Sequence, residues 1–126
     1  MDYTESDVPD QTGKVFFVTG ANTGIGFETA RVLAQKNGRV LLGCRSGPKA
    51  EEALNQIRKL KPDANVAWVP LDLASLRSIA RASEIVRSES RLDGLINNAG
   101  VMMPPRIETE DGFELQFGVN HLGHFA

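Results

Sequence analysis

A glycine-rich turn between an apolar run and a helical pattern is the part of this sequence best suited to chemistry. Val-Phe-Phe-Val-Thr at residues 15–19 leads into Gly20, Gly24 and Gly26. A strand that stops in such a turn and restarts as a helix directs unpaired backbone N–H groups and the positive end of the helix dipole at one point. Glycine suits the turn because it adopts positive φ and lets a phosphate oxygen approach bare backbone. The spacing G-x-x-x-G-x-G therefore predicts a phosphate-binding turn at residues 20–26, the glycine turn; a glycine-rich connection that binds nothing is the alternative.

A basic side chain stands where dinucleotide-binding proteins discriminate between cofactors. Arg45 lies about twenty residues after Gly26, at the position where a carboxylate would accept a hydrogen bond from a free ribose 2′-OH and repel a 2′-phosphate. A guanidinium pairs well with phosphate and lies flat against adenine. Arg45 therefore favours a 2′-phosphorylated dinucleotide, and the alternative is an arginine solvated at a strand end.

The elements that must position these residues alternate between strands and helices. Short apolar runs predict strands that begin at Val15 and cover residues 39–44, 66–69 and 92–97. Helical periodicity predicts helices over 24–37, over 48–61 before Pro62, and after an N-cap at Ser75. This order indicates a Rossmann-type doubly wound parallel α/β sheet of about four strands, incomplete, in the order 3-2-1-4. Residues 101–111 read as a loop, and residues 112–126 as the opening of another helix.

A second motif lies where this topology places a ligand, at the carboxyl ends of strands one and four. Asn97-Asn98-Ala99-Gly100 ends the fourth strand. Together the two motifs resemble the short-chain dehydrogenase/reductase family, whose pattern T-G-x-x-x-G-x-G begins here at Thr19 and whose N-N-A-G element is residues 97–100. The resemblance covers roughly residues 13–126. The run over residues 112–125 is similar to the branch containing retinol dehydrogenases and the WW-domain oxidoreductase.

The resemblance implies an oxidoreductase that transfers a hydride between a nicotinamide cofactor and an alcohol or carbonyl substrate, apolar or retinoid-like in this branch. Residues 13–126 would then be an NAD(P)-binding Rossmann-fold domain, with NADP(H) preferred over NAD(H) because of Arg45. The residues expected to bind the cofactor are Gly20, Asn22, Thr23, Gly24, Ile25, Gly26, Arg45, Asp72, Leu73, Asn98, Ala99 and Gly100.

Some positions carry narrower expectations. Asp72 matches a family aspartate near the adenine, and it is expected to accept from the adenine amino group, to cap the helix near Ser75, or to do both. Asn97 is expected to tie the central strands together through its side chain. Asn120 resembles the asparagine of the family's catalytic tetrad, which orders a water in a proton relay.

The proton-transferring pair of this family does not occur among residues 1–126. The family uses a tyrosine with a lysine four residues later, whereas the one tyrosine is Tyr3 and the last lysine is Lys61. We therefore expect this chain to be the cofactor-binding front half of a longer reductase, inactive by itself. The alternative is a nucleotide-binding or interaction module without turnover.

Composition and charge argue against several other functions. The net charge is -2 and the 14 basic residues form no dense block, which argues against a nucleic-acid partner. No run approaches the eighteen or so apolar residues of a membrane span. Residues 1–12 are acidic and lack an apolar signal region, which predicts a disordered tail and a cytoplasmic protein.

The remaining candidate residues are assigned to the core and to an interface. Cys44 is the only cysteine and is expected in the core. His121 and His124 lack a third ligand nearby, so no metal site is expected. The family resemblance implies a homodimer through the helix that begins near Gly112.

Overall fold

Four parallel strands form the sheet of the computed structural model, which describes residues 2–126. They are β1 (Val15–Thr19), β2 (Arg39–Cys44), β3 (Val66–Pro70) and β4 (Gly94–Ile96), in the predicted order β3-β2-β1-β4. β4 is shorter than the predicted 92–97. Asp93 contacts Val15 through its backbone amide and its carboxylate, both at 2.8 Å, and the paired register of β4 with β1 begins at Gly94, opposite Phe16.

Three helices follow the first three strands. They are α1 (Gly24–Gln35), α2 (Gly47–Leu60) and α3 (Leu76–Arg87). α1 ends two residues before the predicted 37 because Asn37 adopts a left-handed φ of 73°. The amides of Asn37 and Gly38 bond back to the carbonyls of Ala34 and Leu33 at 3.1 and 2.9 Å, which is the hydrogen-bonding pattern of a helix stop.

A last helical segment runs without a break through α4 (Leu115–Phe117), a π-helical turn (Gly118–Leu122) and α5 (Gly123–Phe125). We call residues 115–125 the terminal helix. It begins later than the predicted Gly112 because the Glu114 carboxylate accepts from the amides of Gln116 and Phe117 at 2.9 and 2.8 Å. These bonds lower the pKa of Glu114. Among residues 2–126, no helix has the length and apolar content needed to cross a bilayer.

Helices cover both faces of the sheet, which confirms the doubly wound architecture. One core layer packs α1 and α2 on the sheet and includes Val18, Ala30, Ala34, Val40, Leu42, Ala53 and Ile57. The other packs α3 and the terminal helix on the opposite face and includes Phe17, Leu41, Val69, Ala82 and Val119. Adjacent strand residues such as Leu41 and Leu42 therefore belong to different layers, because successive side chains point to opposite faces.

The disordered tail predicted for residues 1–12 stays a prediction, and Met1 lies outside the described residues. The described part of this segment makes contacts with α1 and with the turn that ends it. Residues Glu5–Asp7 form a 3-10 turn, and Glu5 pairs with Arg31 of α1 at 2.7 Å. Asp10 accepts from the side chain of Asn37 at 2.7 Å, and Gln11 is buried. The acidic side chains find partners on α1 and its C-terminal stop, and such long-range pairs cannot be read from local composition. The domain boundary at residue 13 stays a prediction.

Candidate functional site

An open cleft of about 260 Å³ lies at the carboxyl ends of the strands, where the sheet reverses its winding. The structure brings seven predicted residues to its lining: Gly20, Asn22, Arg45, Asp72, Leu73, Ala99 and Gly100. Seven residues that sequence reasoning missed complete the wall: Gly43, Cys44, Leu71, Ala74, Val101, Leu115 and Val119. Leu115 and Val119 stand four residues apart on the terminal helix, a helical spacing that could have indicated them.

The glycine turn and the end of β4 touch each other beside this cleft. Gly20 has φ +64°, and a Cβ there would lie 2.8 Å from Cα of Ala99. Only glycine meets both conditions, since positive φ strains L side chains and the neighbouring backbone leaves no room. The two sequence motifs therefore lie on one side of the molecule.

The N-terminus of α1 has no side-chain cap. Its N-cap residue, Thr23, makes no capping hydrogen bond. Within residues 2–126 the N–H groups of residues 22–26 have no hydrogen-bond partner. By contrast, Ser46 caps α2 through the amide of Lys49, and Ser75 caps α3 through the amide of Ser78. The donors of α1 thus stay available to an anion.

Space is open in front of these donors. Gly24 has φ +61°, and nothing lies within 4 Å of a Cβ built there. Ile25, next in the chain, is 80% exposed. Thr23, Gly24 and Ile25 are thus at the helix tip and do not line the cleft wall itself. A phosphate group fits this bare, donor-rich tip better than it would fit a tip closed by side chains.

Two predicted cofactor-binding residues serve the packing behind the turn. A Cβ on Gly26 would overlap Nδ2 of Asn98 and the carbonyl oxygen of Gly20. Nδ2 of Asn98 donates to the carbonyls of Thr19 at 3.0 Å and Gly20 at 3.3 Å. Gly26 and Asn98 therefore fix the shape of the turn from below and do not line the cleft.

The strand-tying role predicted for Asn97 was wrong by one residue. Asn97 is exposed, and within residues 2–126 its side chain makes no hydrogen bond. Asn98 instead carries the side-chain bonds from the end of β4 to β1. Because side chains alternate across a strand, a shift of one position exchanges the inward and outward residues.

Thr19 joins the two motifs through a single oxygen, a role that sequence reasoning missed. Its Oγ1 accepts from the amides of Asn98 at 3.0 Å and Ala99 at 2.9 Å. It also lies 2.9 Å from Nε2 of His124, whose Nδ1 is 3.0 Å from the carbonyl of Asn120. The Thr19 hydroxyl donates to Nε2 in the tautomer that places the ring proton on Nδ1. Thr19 is the first residue of the family pattern, and this position could have indicated that its side chain has a role.

Arg45 stands at the cleft mouth with a free head group. The residue is exposed, and within residues 2–126 it makes no hydrogen bond or ion pair. Its neighbour Cys44 is buried at the end of β2, as predicted for a core residue. Burial raises the pKa of the Cys44 thiol, which keeps it neutral. Arg45 therefore places one unpaired positive charge at the mouth of the cleft.

Asp72 lines the cleft, but it does not cap α3. Its Oδ1 accepts from the amide of Ala74 at 2.9 Å, a local turn contact. The cap of α3 is Ser75, and the carboxylate of Asp111 accepts from the amide of Leu76 at 2.8 Å. The capping alternative for Asp72 was therefore wrong, because two other side chains hold that position.

Asn120 lies in the π-helical turn and fastens the loop that follows β4. Its Oδ1 accepts from the amide of Val101, and its Nδ2 donates to the carbonyl of the same residue, both at 2.8 Å. A Cβ on Gly100 would approach Oδ1 of Asn120 to 3.3 Å. The side chain thus positions the wall of the cleft, and its predicted part in proton relay stays a prediction.

A doubly wound parallel sheet, with an uncapped helix tip and a glycine turn at its switch point, defines a Rossmann-type α/β fold. The short chain dehydrogenase family model matches residues 14–126. The chain belongs to the short-chain dehydrogenase/reductase family.

Curated relatives of known name are similar over most of this chain. Retinol dehydrogenase 13 of Homo sapiens is 55% identical over 114 residues, which cover 90% of this chain and 34% of the relative. Retinol dehydrogenase 14 of Homo sapiens is 49% identical over an alignment of 127 positions, which covers 90% of this chain and 38% of the relative. The chain therefore spans little more than a third of the length of these relatives.

Solved structures share the fold. An uncharacterised protein from Mycobacterium paratuberculosis has a TM-score of 0.86 at 39% identity, over 99% of this chain and 44% of that chain. A metagenomic short-chain oxidoreductase in complex with NADP has a TM-score of 0.65 at 33% identity, over 73% of this chain and 41% of that chain.

Proposed function

We propose that this chain is the cofactor-binding part of an NADP(H)-dependent oxidoreductase. The observation that carries the proposal is the uncapped tip of α1 beside a cleft in which Gly20 and Ala99 touch. Backbone donors at a helix N-terminus favour a pyrophosphate through hydrogen bonds and through the helix dipole. The N–H groups of residues 22–26 would bind that pyrophosphate.

The cleft beyond the helix tip suits the adenosine half of the cofactor. Ala99 and Gly100 leave room on the wall, since one carries only a methyl group and the other no side chain, and they would admit the ribose. Asp72 engages one carboxylate oxygen with the amide of Ala74, so its other oxygen is free to accept from the adenine amino group. Leu73, which also lines the cleft, would pack against the base.

Arg45 supports NADP(H) over NAD(H). Its free guanidinium at the cleft mouth would pair with the 2′-phosphate that distinguishes the two cofactors. The similar metagenomic oxidoreductase was solved with NADP, which is consistent with this preference.

The reaction we propose is hydride transfer with an apolar alcohol or carbonyl substrate, retinoid-like as the names of the relatives suggest. When bound, the nicotinamide would supply or accept the hydride. Asn120 would contribute its backbone carbonyl, already hydrogen-bonded to His124, to the ordering of a proton path. A tyrosine followed four residues later by a lysine does not occur in residues 1–126, so turnover requires groups outside them.

Cofactor titration by calorimetry tests the binding proposal. We expect NADPH to bind with a lower Kd than NADH. Arg45→Asp should raise the Kd for NADPH about tenfold to a hundredfold, since a charge-assisted hydrogen bond is replaced by repulsion. Arg81→Asp, which makes the same charge change at an exposed position on α3, is the matched control. An unchanged NADPH-to-NADH affinity ratio in Arg45→Asp would refute the assignment of Arg45.

A second assay separates the reductase from a binding module without turnover. We expect residues 1–126 to bind NADPH without oxidising it in the presence of an apolar aldehyde. A longer protein that contains these residues should contain Tyr-x-x-x-Lys and oxidise NADPH when the aldehyde is added. A longer protein without that pair, and without aldehyde-dependent oxidation, would favour the binding module.

A further inference from the structure

Trp68 contacts both sides of the turn that carries Arg45. Its indole Nε1 donates to the carbonyl of Cys44 at 3.0 Å, directly before Arg45. After Arg45, a Cβ built on Gly47 would lie 3.0 Å from Cη2 of the Trp68 ring. We call residues 44–47 the Arg45 turn. One side chain therefore holds this turn at both ends.

The contact with Cys44 anchors the turn to the sheet. The same carbonyl accepts from the amide of Leu71 at 3.1 Å, so both of its lone pairs are used. Trp68 lies on the edge strand β3, opposite Leu42 of β2, and is 36% exposed. A half-exposed indole N–H could be satisfied by water, yet here it is directed at the backbone of the Arg45 turn.

Arg45 depends on this backbone for its position. Within residues 2–126 its guanidinium has no partner, so only the turn limits where it can reach. A guanidinium pairs with phosphate in a planar, two-pronged geometry, and it loses rotamer freedom when it does so. If the backbone of the Arg45 turn moved, ordering it would cost further entropy on binding, and the guanidinium would be misaligned with the phosphate.

We propose that Trp68 is a positioning residue for cofactor selection, which holds the Arg45 turn so that Arg45 meets the 2′-phosphate of NADPH. The inference rests on the proposed function, in which Arg45 binds that phosphate. NADH lacks the 2′-phosphate and shares only the adenine with NADPH, so its binding depends much less on the position of Arg45. Loss of the Trp68 contacts therefore weakens NADPH binding and leaves NADH binding nearly unchanged, whereas a purely structural role would weaken both.

Calorimetric titration of Trp68→Phe with NADPH and with NADH tests the hydrogen bond to Cys44, because phenylalanine keeps an aromatic ring without the N–H. We expect the Kd for NADPH to rise about threefold to tenfold, the value of one hydrogen bond. The Kd for NADH should change less than twofold.

The double variant Trp68→Phe/Arg45→Leu shows whether Trp68 acts through Arg45. In the Arg45→Leu background, Trp68→Phe should not change the Kd for NADPH further, since the group that it positions is gone. Full additivity of the two substitutions would overturn the proposal.

Gly47→Ala perturbs the same turn from the other side, because its Cβ would press on the Trp68 ring. It should reproduce the selective loss of NADPH affinity. Ile85→Ala is the control for the loss of an exposed apolar side chain, since Ile85 on α3 is 43% exposed and Trp68 is 36% exposed. Far-UV circular dichroism and urea unfolding establish that each variant is folded.

The outcomes separate this inference from the function on which it rests. If the unmodified chain does not prefer NADPH, the role of Arg45 fails and this inference fails with it. If the chain prefers NADPH and Trp68→Phe raises both Kd values equally, only the role of Trp68 is overturned. If neither Trp68→Phe nor Gly47→Ala folds, Trp68 serves the core and the selectivity role is likewise overturned.

Discussion

Replacement of the Thr19 hydroxyl by a methyl group tests whether the glycine turn and the end of β4 are joined through one oxygen. Thr19→Val keeps the shape of the side chain and removes contacts of 3.0, 2.9 and 2.9 Å to Asn98, Ala99 and His124. Thr19 is 2% exposed, so water cannot replace the lost oxygen.

The structure sets the size of the expected loss. The Asn98 amide retains the carbonyl of Ile96 at 3.0 Å, which leaves the Ala99 amide and the His124 ring without their partner. Lost hydrogen bonds of this kind cost about 1–3 kcal/mol each when a group stays unsatisfied. We expect Thr19→Val to lower the free energy of unfolding by about 2–4 kcal/mol, a large part of the stability of a small domain.

Thr19→Ser is the matched control because it keeps the oxygen and loses one methyl group, at a cost of about 1 kcal/mol. Urea unfolding followed by circular dichroism gives both values. Valine favours strands more than serine does, so strand propensity alone would make Thr19→Val the more stable of the two variants, the reverse of our expectation. A valine variant as stable as the serine variant would refute the role of this oxygen.

Three other predictions concern the glycine turn, the loop after β4 and one ion pair. Gly26→Ala should lower the urea midpoint more than Gly24→Ala, because a Cβ at 26 overlaps Nδ2 of Asn98 and the carbonyl oxygen of Gly20, whereas a Cβ at 24 meets open space and only the strain of positive φ; the reverse order would contradict the packing described for the turn. Asn120→Ala should raise the hydrogen-exchange rate of the backbone amide that it holds by about tenfold, the value of about one hydrogen bond, and unchanged exchange would argue against that contact. The hydrogen bond from Arg39 lowers the pKa of Glu89 from 4.5. The stability that the ionised Glu89 contributes is therefore fully present above pH 4.5 and is lost as the pH falls through the lowered pKa. Glu89→Gln should therefore flatten the acid side of the Tm profile, and an unaltered profile would exclude this source of acid sensitivity.

Local patterns were sufficient to predict the sheet and its order. Short apolar runs separated by amphipathic segments imply parallel strands covered by helices, and right-handed crossovers leave few arrangements. The Asn37-Gly38 stop and the Ser75 cap were readable because each is a local backbone requirement. The positions of the helix tip and of the small residues that follow β4 could be predicted from the same topology.

Features that depend on tertiary contacts could not be read in this way. β4 is three residues long, too short for its pattern to show which of Asn97 and Asn98 points inward. The contact of Thr19 with His124 joins residues 105 positions apart. The π-helical turn at Asn120 carries no local signature, and the Glu5–Arg31 pair exists only because the N-terminal segment folds back on α1.

A single titration followed by ¹H–¹⁵N NMR tests the central claim most directly. The backbone amides of residues 22–26 and those of Ala99 and Gly100 should shift together as NADPH is added, with one common Kd. Perturbation of only one group, or of neither while the chain stays folded, would contradict a shared dinucleotide cleft.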